Sequence, residues 1–347
     1  MKPNILLITL LGLFILNCAN DVASVSPNKN PVDNNPDLGG GDINSDPLLD
    51  PTDNPSDSSA GSKTYRSDFI FNKSTSTLNQ SVEMDANFIG YFLSPGGKVM
   101  SGQNDIEAID DYIIELMFPG NAAFGSSDHT GPGLYGTHIE SDLAGTKFKY
   151  GTYRARFKTP TCLQPAPGVI TGLFTYFNDG ADYNQNGIID NSEIDIEITC
   201  AEPANLYLTV WTDYADDESF HKKTRKIYLQ TGKYDETKPG GEGSYGLGQK
   251  GTLPFSFPAI DSSKEYIEME MIWDENYVEY FIIYQSQKYS LWKMSELASI
   301  PHNASYYMMN VWHNANHWHN DLPADYPGSD VTLKVDWFEY MPANLNE

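Results

Sequence analysis

Between about residues 65 and 345 the apolar positions fall in short runs rich in aromatic and β-branched residues, separated by Gly, Pro, Asn and Asp. The clearest are YIIELMF (112–118), YGTYRARFK (150–158), VITGLFTYF (169–177) and NLYLTVW (205–211). Four more follow: YIEMEMIW (266–273), YVEYFIIY (277–284), YYMMNVW (306–312) and VTLKVDWFEYM (331–341). Several alternate apolar with polar residues, the period of a half-buried antiparallel strand. Only LWKMSELAS, at 291–299, has the composition of a short helix. Many strands without intervening helices predict a β-sandwich or jelly roll. No second linker divides residues 64–347, so they form one domain.

The first 63 residues follow a different pattern. After Lys2, an apolar run extends from Ile5 to Leu16. It is too short to span a bilayer and has the length of a signal-peptide core. The run ends at Cys18, after Ile15-Leu16-Asn17, and resembles a bacterial lipoprotein lipobox, with Asn17 where Gly or Ala is usual. That resemblance implies a signal peptide over 1–18 and a lipidated Cys18 as the first mature residue. The protein would then be an exported lipoprotein of the cell envelope, at the outer membrane or cell surface, with the membrane as a partner. Ordinary signal cleavage and secretion is the other reading. Residues 19–63 are dominated by Asp, Asn, Pro, Ser and Gly and contain no aromatic residue. Such a segment buries too little apolar surface to offset its ordering entropy, so it is expected to be a disordered tether.

Charge narrows the choice of partner. With 22 basic against 47 acidic residues the formal net charge is −25, which excludes nucleic acid as a plausible partner. It also weighs against a polyanionic substrate such as a sulphated glycan. Apolar residues make up 40% of the chain and aromatics 13%, enough for a substantial core. A monomer is expected.

The chemistry concentrates in DYNQNGIIDNSEIDIE, residues 182–197, where two patterns meet on one residue. Asp182, Asn184, Asn186, Gly187, Asp190 and Glu193 occupy positions 1, 3, 5, 6, 9 and 12 of an EF-hand calcium loop. Glu193 also opens EIDIE, which as a strand places Glu193, Asp195 and Glu197 on one face and Ile194, Ile196 and Ile198 on the other. Side chains four residues apart can lean toward the separation of about 5–5.5 Å that a retaining glycosidase requires of its two carboxyls. Their mutual repulsion would keep a proton on one of them. An EF-hand needs flanking helices, and neither neighbouring segment has helical periodicity. Glu193 is therefore assigned to catalysis, which needs no cofactor. Asp182, Asn184, Asn186, Asp190 and the Ile188 carbonyl remain as a set for a structural Ca2+, the alternative being a polar surface turn.

EIDIE lies downstream of YGTYRARFKTP and GVITGLFTYF, and in this setting it resembles glycoside hydrolase family 16. IWDENYVEYFI (272–282), YYMMNVWHNANHW (306–318) and VDWFEY (335–340) carry the likeness further, in the family's order, across most of residues 140–341. The resemblance implies an all-β fold, a two-sheet antiparallel β-jelly-roll sandwich of the concanavalin A-like kind. It also implies an endo-acting, retaining β-glycanase working on a polysaccharide such as a neutral β-glucan. Glu193 would be the nucleophile, Glu197 the acid/base, and Asp195 their hydrogen-bonding neighbour. Trp312 and Trp318 would line the cleft with Asn310, Phe174, Tyr176 and His221, and Asp336 would hold a second calcium on the convex face. The unbroken EIDIE is the form of enzymes cutting β-1,3-1,4-glucans, whereas β-1,3-glucan enzymes usually insert a residue. Asn191 and Asp142 stand where the former carry Trp and Arg. A transglycosylase, a non-catalytic carbohydrate-binding surface protein and a calcium-dependent adhesion module are the alternatives.

Two smaller groups complete the expectations. His313, His317 and His319 lack a Cys or a second histidine pair, so they are read as cleft or surface residues, not metal ligands. With Cys18 given to lipid, Cys162 and Cys200 remain. If their strands pair antiparallel the two come close, and an exported protein permits the disulfide.

Overall fold

Strand-forming residues at alternating depth dictate the architecture, and β7 shows how. Along Gly151–Lys158 every second residue is buried, Tyr153, Ala155 and Phe157 facing inward while Arg154, Arg156 and Lys158 stay half-exposed. The computed structural model describes residues 65–67, 82–83, 89–92, 98–103, 112–120, 134–141, 147–161, 166–201, 204–214, 222–236, 249–254, 256–314 and 327–343. The expected signal peptide, Cys18 and the 19–63 tether lie outside them.

The strands, in chain order, begin with β1 (Tyr65–Ser67), β2 (Val82–Glu83), β3 (Ile89–Phe92), β4 (Lys98–Gln103), β5 (Tyr112–Phe118) and β6 (Leu134–Glu140). Next come β7, β8 (Ala166–Phe177), β9 (Ile189–Cys200), β10 (Asn205–Tyr214), β11 (Lys222–Tyr228) and β12 (Lys233–Glu236). The last are β13 (Lys250–Thr252), β14 (Ile267–Trp273), β15 (Val278–Tyr284), β16 (Gln287–Met294), β17 (Tyr306–Asn314) and β18 (Val331–Pro342). They form two antiparallel sheets, a two-sheet jelly-roll sandwich. One has the order β16-β15-β14-β7-β18-β5-β4, with β1 paired to β18. The other runs β13-β12-β11-β10-β9-β8-β17-β6-β3-β2.

The core joins the inner faces of the two sheets. Tyr153, Phe157, Leu333, Val335 and Phe338 from the first belong to one buried cluster with Leu173, Ile194, Ile196, Leu208, Val210 and Met309 from the second. Each such side chain contributes about 1.5–3 kcal/mol on burial. Tyr307 of β17 stacks on Phe338 of β18 with ring centroids 3.9 Å apart. The Tyr280 hydroxyl of β15 donates to the Thr209 carbonyl of β10 at 2.6 Å, a buried hydrogen bond between the sheets.

One expectation is corrected here, and one residue is placed. The helix over 291–299 is absent: residues to Met294 belong to β16, paired with β15, and only Leu297–Ser299 make a 3-10 turn. The cause is a bulge, because the register slips between Tyr280 and Phe281 and lets Leu291 and Trp292 bury side by side. Asp336, expected to hold calcium, is fully buried and accepts a hydrogen bond from the Arg156 guanidinium. The two side chains form an internal ion pair. Breaking a buried pair by removing one partner costs about 3–5 kcal/mol. Asp336→Ala is therefore expected to lower the urea midpoint of unfolding sharply, and an unchanged midpoint would show the pair to be dispensable.

Candidate active site

Directly opposed residues of antiparallel strands share a face, so register alone assembles the site. On β9, Glu193 lies opposite Tyr176 of β8 and Trp211 of β10, Asp195 opposite Phe174 and Thr209, and Glu197 opposite Gly172 and Tyr207. Strand β17 extends these rows with Tyr306, Met308 and Asn310, and β6 adds Glu140 and His138. On the other side β11 adds Lys222, Thr224 and Lys226. Trp312 lies one step further along β17, opposite Ile170 and Gly136. Ile194, Ile196 and Ile198 point the other way and are buried in the core.

The structure thus gathers Glu193, Asp195, Glu197, Phe174, Tyr176, Asn310 and Trp312 on one sheet face. Tyr207, Trp211, Lys222, Lys226, Glu140 and His138 share it and were not foreseen. Trp318, His221, His317, His319, Asp142 and Cys162 lie outside the described residues. His313 is corrected: it faces the core side of β17, fully buried, with its ring 6.0 Å from Phe118 and stacked on it. Cys200 is disulfide-bonded, and it lies opposite Ala166 in the antiparallel β8–β9 pair.

Large neighbours bury the carboxylates even on the face away from the core. Glu193 is 2% and Asp195 6% exposed, while Glu197 is half-buried. The Asn191 amide donates to Glu193 Oε2 at 2.9 Å and is itself held by Asn178, whose Nδ2 donates to Asn191 Oδ1 at 3.2 Å. Burial pushes the Glu193 carboxyl up to about 7, against the pull of Asn191, the Lys222 charge and a hydrogen bond with Asp195. Burial and then the Glu193 charge push Glu197 up to about 8, with Lys222 opposing. Asp195 is held well above the usual carboxylate range by burial and by both glutamates. It therefore keeps a proton and donates it in the hydrogen bond to Glu193. The result is one carboxylate that ionises first beside another that retains its proton longer.

Two further features shape the space beside Glu197. A Cβ on Gly172 would sit 2.5 Å from Asn310 Oδ1, so this position admits no side chain without displacing Asn310. Asn310 Oδ1 is buried without a hydrogen-bond partner among the described residues, an acceptor that a ligand hydroxyl could meet. Lys222 reaches the site with its Nζ 4.4 Å from the Trp211 ring centroid.

The loop from β8 to β9 carries the calcium-like pattern. Asp182 accepts the backbone N–H groups of Asn186 at 3.1 Å and Gly187 at 2.7 Å. Asn184 Oδ1 accepts Asn186 N–H at 3.0 Å, and Asn186 Oδ1 accepts Ile188 N–H at 2.8 Å. Asp190 Oδ2 accepts Tyr183 N–H and Asn303 Nδ2, each at 3.2 Å. Glu193, turned to the sheet face, takes no part in these bonds. Among the described residues no three His, Cys, Asp or Glu side chains are gathered as a metal cluster.

No protein-family model matches the chain, and no curated protein matches it in sequence. Among solved structures it is similar to the catalytic domain of an endo-1,3-β-glucanase (laminarinase) from Thermotoga petrophila RKU-1, at 17% identity over 81% of this chain and 97% of that one, with a TM-score of 0.46. It is also similar to a glycoside hydrolase family 16 endo-glucanase from Bacteroides ovatus, at 14% identity over 80% and 99% of the two chains, TM-score 0.44. A third is a prokaryotic β-1,3-1,4-glucanase (lichenase) derived from a mouse hindgut metagenome, at 15% identity over 81% and 99%, TM-score 0.42. The likeness is one of fold and assigns no role to any residue.

Proposed function

We propose that the protein is an endo-acting, retaining β-glycanase that cleaves internal linkages of a neutral β-glucan by double displacement. The observation that carries this reading is the Glu193–Asp195–Glu197 row, two buried carboxylates and one half-buried on one sheet face, all three raised above the usual carboxylate range by their surroundings. Glu193, ionising first, attacks the anomeric carbon while Glu197 gives its proton to the departing glycosidic oxygen. A covalent glycosyl–Glu193 ester results. Water then attacks that carbon as Glu197 takes its proton, and the product leaves with its original anomeric configuration. Asp195 steadies the charge on Glu193 by donating its hydrogen bond.

Aromatic side chains flank the trio on both sides, with Phe174, Tyr176 and Trp312 toward β17 and Tyr207 and Trp211 on β10. Sugar rings offer C–H faces to aromatic groups, and of these five Phe174 and Trp312 are half-buried and reachable, whereas Tyr176, Tyr207 and Trp211 are buried. The unbroken EIDIE favours a β-1,3-1,4-glucan over a β-1,3-glucan. Export and lipidation at Cys18 would place the enzyme where it meets such polymers.

Reducing-sugar release from barley β-glucan, lichenan, laminarin, xyloglucan and agarose tests the reading. Activity on a mixed-linkage glucan that vanishes in Glu193→Gln is expected. A wild type that binds a polymer in a pull-down but cuts none would instead make it a carbohydrate-binding protein. Glycosyl transfer to an added oligosaccharide in place of water would make it a transglycosylase.

A further inference from the structure

Beside the sheet face, the β8–β9 loop presents oxygen atoms in a pattern that hydrolysis does not use. Asp182 and Asn184 are turned inward by their bonds to Asn186 N–H, and Asn186 is fixed from both ends. Its Nδ2 donates to Asp213 Oδ2 at 2.7 Å, which ties the loop to β10. Asp213 lies opposite Asp190 where β9 and β10 begin their pairing, and both carboxylates are buried, at 3% and 7% exposure. Asp190 supplies the independent sign of a ligand. Its Oδ2 holds the loop through Tyr183 N–H, while its Oδ1 is buried with no hydrogen-bond partner among the described residues. An orphaned carboxylate oxygen in such a place is costly unless something positive meets it.

We propose that this loop binds one calcium ion, through Asp182, Asn184, Asn186, the Ile188 carbonyl and Asp190, with the carboxylate of Asp213 supplying the charge that Glu193 withholds. In a helix-flanked loop the twelfth residue closes the cage with both carboxylate oxygens. Here that residue is Glu193, and Asn191 holds it on the sheet face. Asp213 reaches the loop from the neighbouring strand, a contribution that the linear motif does not contain. Carboxylate, amide and carbonyl oxygens without nitrogen or sulphur donors select a hard cation. A mixed set of side-chain and backbone oxygens suits the larger coordination number of calcium better than the small octahedron of magnesium. The inference is independent of turnover, since binding can be present in an inactive protein.

The test is calorimetric titration of the full-length, chelator-stripped protein with CaCl2, with MgCl2 as the comparison and thermal unfolding recorded alongside. One calcium per chain is expected, with Kd about 10⁻⁵–10⁻³ M, the weaker range of such loops, and an upward shift in melting temperature. Asp182→Asn keeps one of the two acceptors that hold the turn and is expected to weaken binding about tenfold or more, while Asp213→Asn weakens it similarly. Asp274→Asn, in the β14–β15 turn and outside the proposed ligand set, should leave binding unchanged. No heat and no melting shift at millimolar calcium would overturn the proposal. So would undiminished binding in the Asp182→Asn, Asp213→Asn double variant, and so would equal affinity for magnesium.

Discussion

Glu193→Ala is expected to lower kcat by on the order of 10⁴-fold or more, the scale on which removing a nucleophile acts. Added azide should restore part of the turnover of an activated aryl β-glycoside, and the anomer formed identifies the missing group. With Glu193 gone, azide enters on the vacated face and yields an α-glycosyl azide. In Glu197→Ala the ester to Glu193 still forms when the leaving group needs no proton, and azide attacks from the opposite face to give the β-glycosyl azide. The two variants should therefore give opposite anomers, read by NMR. The same anomer from both would sink the assignment of roles, even if both variants were inactive on polymer.

The second large effect is on pH. In the proposed mechanism turnover needs Glu193 ionised and Glu197 protonated, so kcat/KM should be bell-shaped, falling below about 7 and above about 8. Lys222 pulls both groups down, so Lys222→Met should move both limbs to higher pH. Movement of one limb alone would mean that the lysine charge does not reach both carboxylates.

Stability responds to the same groups with a fixed sign. Folding raises the carboxyls of Glu193, Asp195 and Glu197 above their ordinary values, so between those values and the raised ones the folded chain binds more protons than the unfolded one. Their contribution is fully favourable below the unfolded values and is lost as pH rises through the folded ones. Glu197→Gln removes a charge that folding disfavours. Glu197 is half-buried and solvent screens it, so the gain is taken as about 1–2 kcal/mol, or about 3–6 °C in melting temperature near pH 9, with none near pH 4. A scan showing equal melting temperatures for variant and wild type across that range would contradict the burial that the site is built on.

The sequence carried some of these features more clearly than others. YIIELMF at 112–118 coincides with β5 because one face of that strand meets the core and the pattern is local. EIDIE could be read for the same reason, since its isoleucines and carboxylates separate cleanly between the faces. NLYLTVW could be read as a strand but not as part of the site: Tyr207 and Trp211 are as apolar as the residues between them, so alternation does not say which set faces the carboxylates. Lys222 and Asp213 depend on which strands become neighbours, a long-range fact that no window of sequence contains. LWKMSELAS misled because Leu291 and Trp292 are buried in succession, and the bulge responsible belongs equally to β15.

The alternation along β9 has a consequence for how the segment can change in length. A one-residue slip against β8 or β10 would turn Glu193, Asp195 and Glu197 into the core beside Leu173, Leu208 and Val210, and lift the three isoleucines into the site. Uncompensated carboxylates in that core cost several kcal/mol each, so misaligned pairings are rejected during folding without any further device. Strand β9 proofreads its own alignment. Insertions between Glu193 and Glu197 obey the same arithmetic: one added residue reverses everything after it unless a bulge absorbs it, and two restore the faces but push the carboxyls apart. Variation in this stretch is thus confined to substitution or to a bulge, and the spacing of the two glutamates is inherited as a unit.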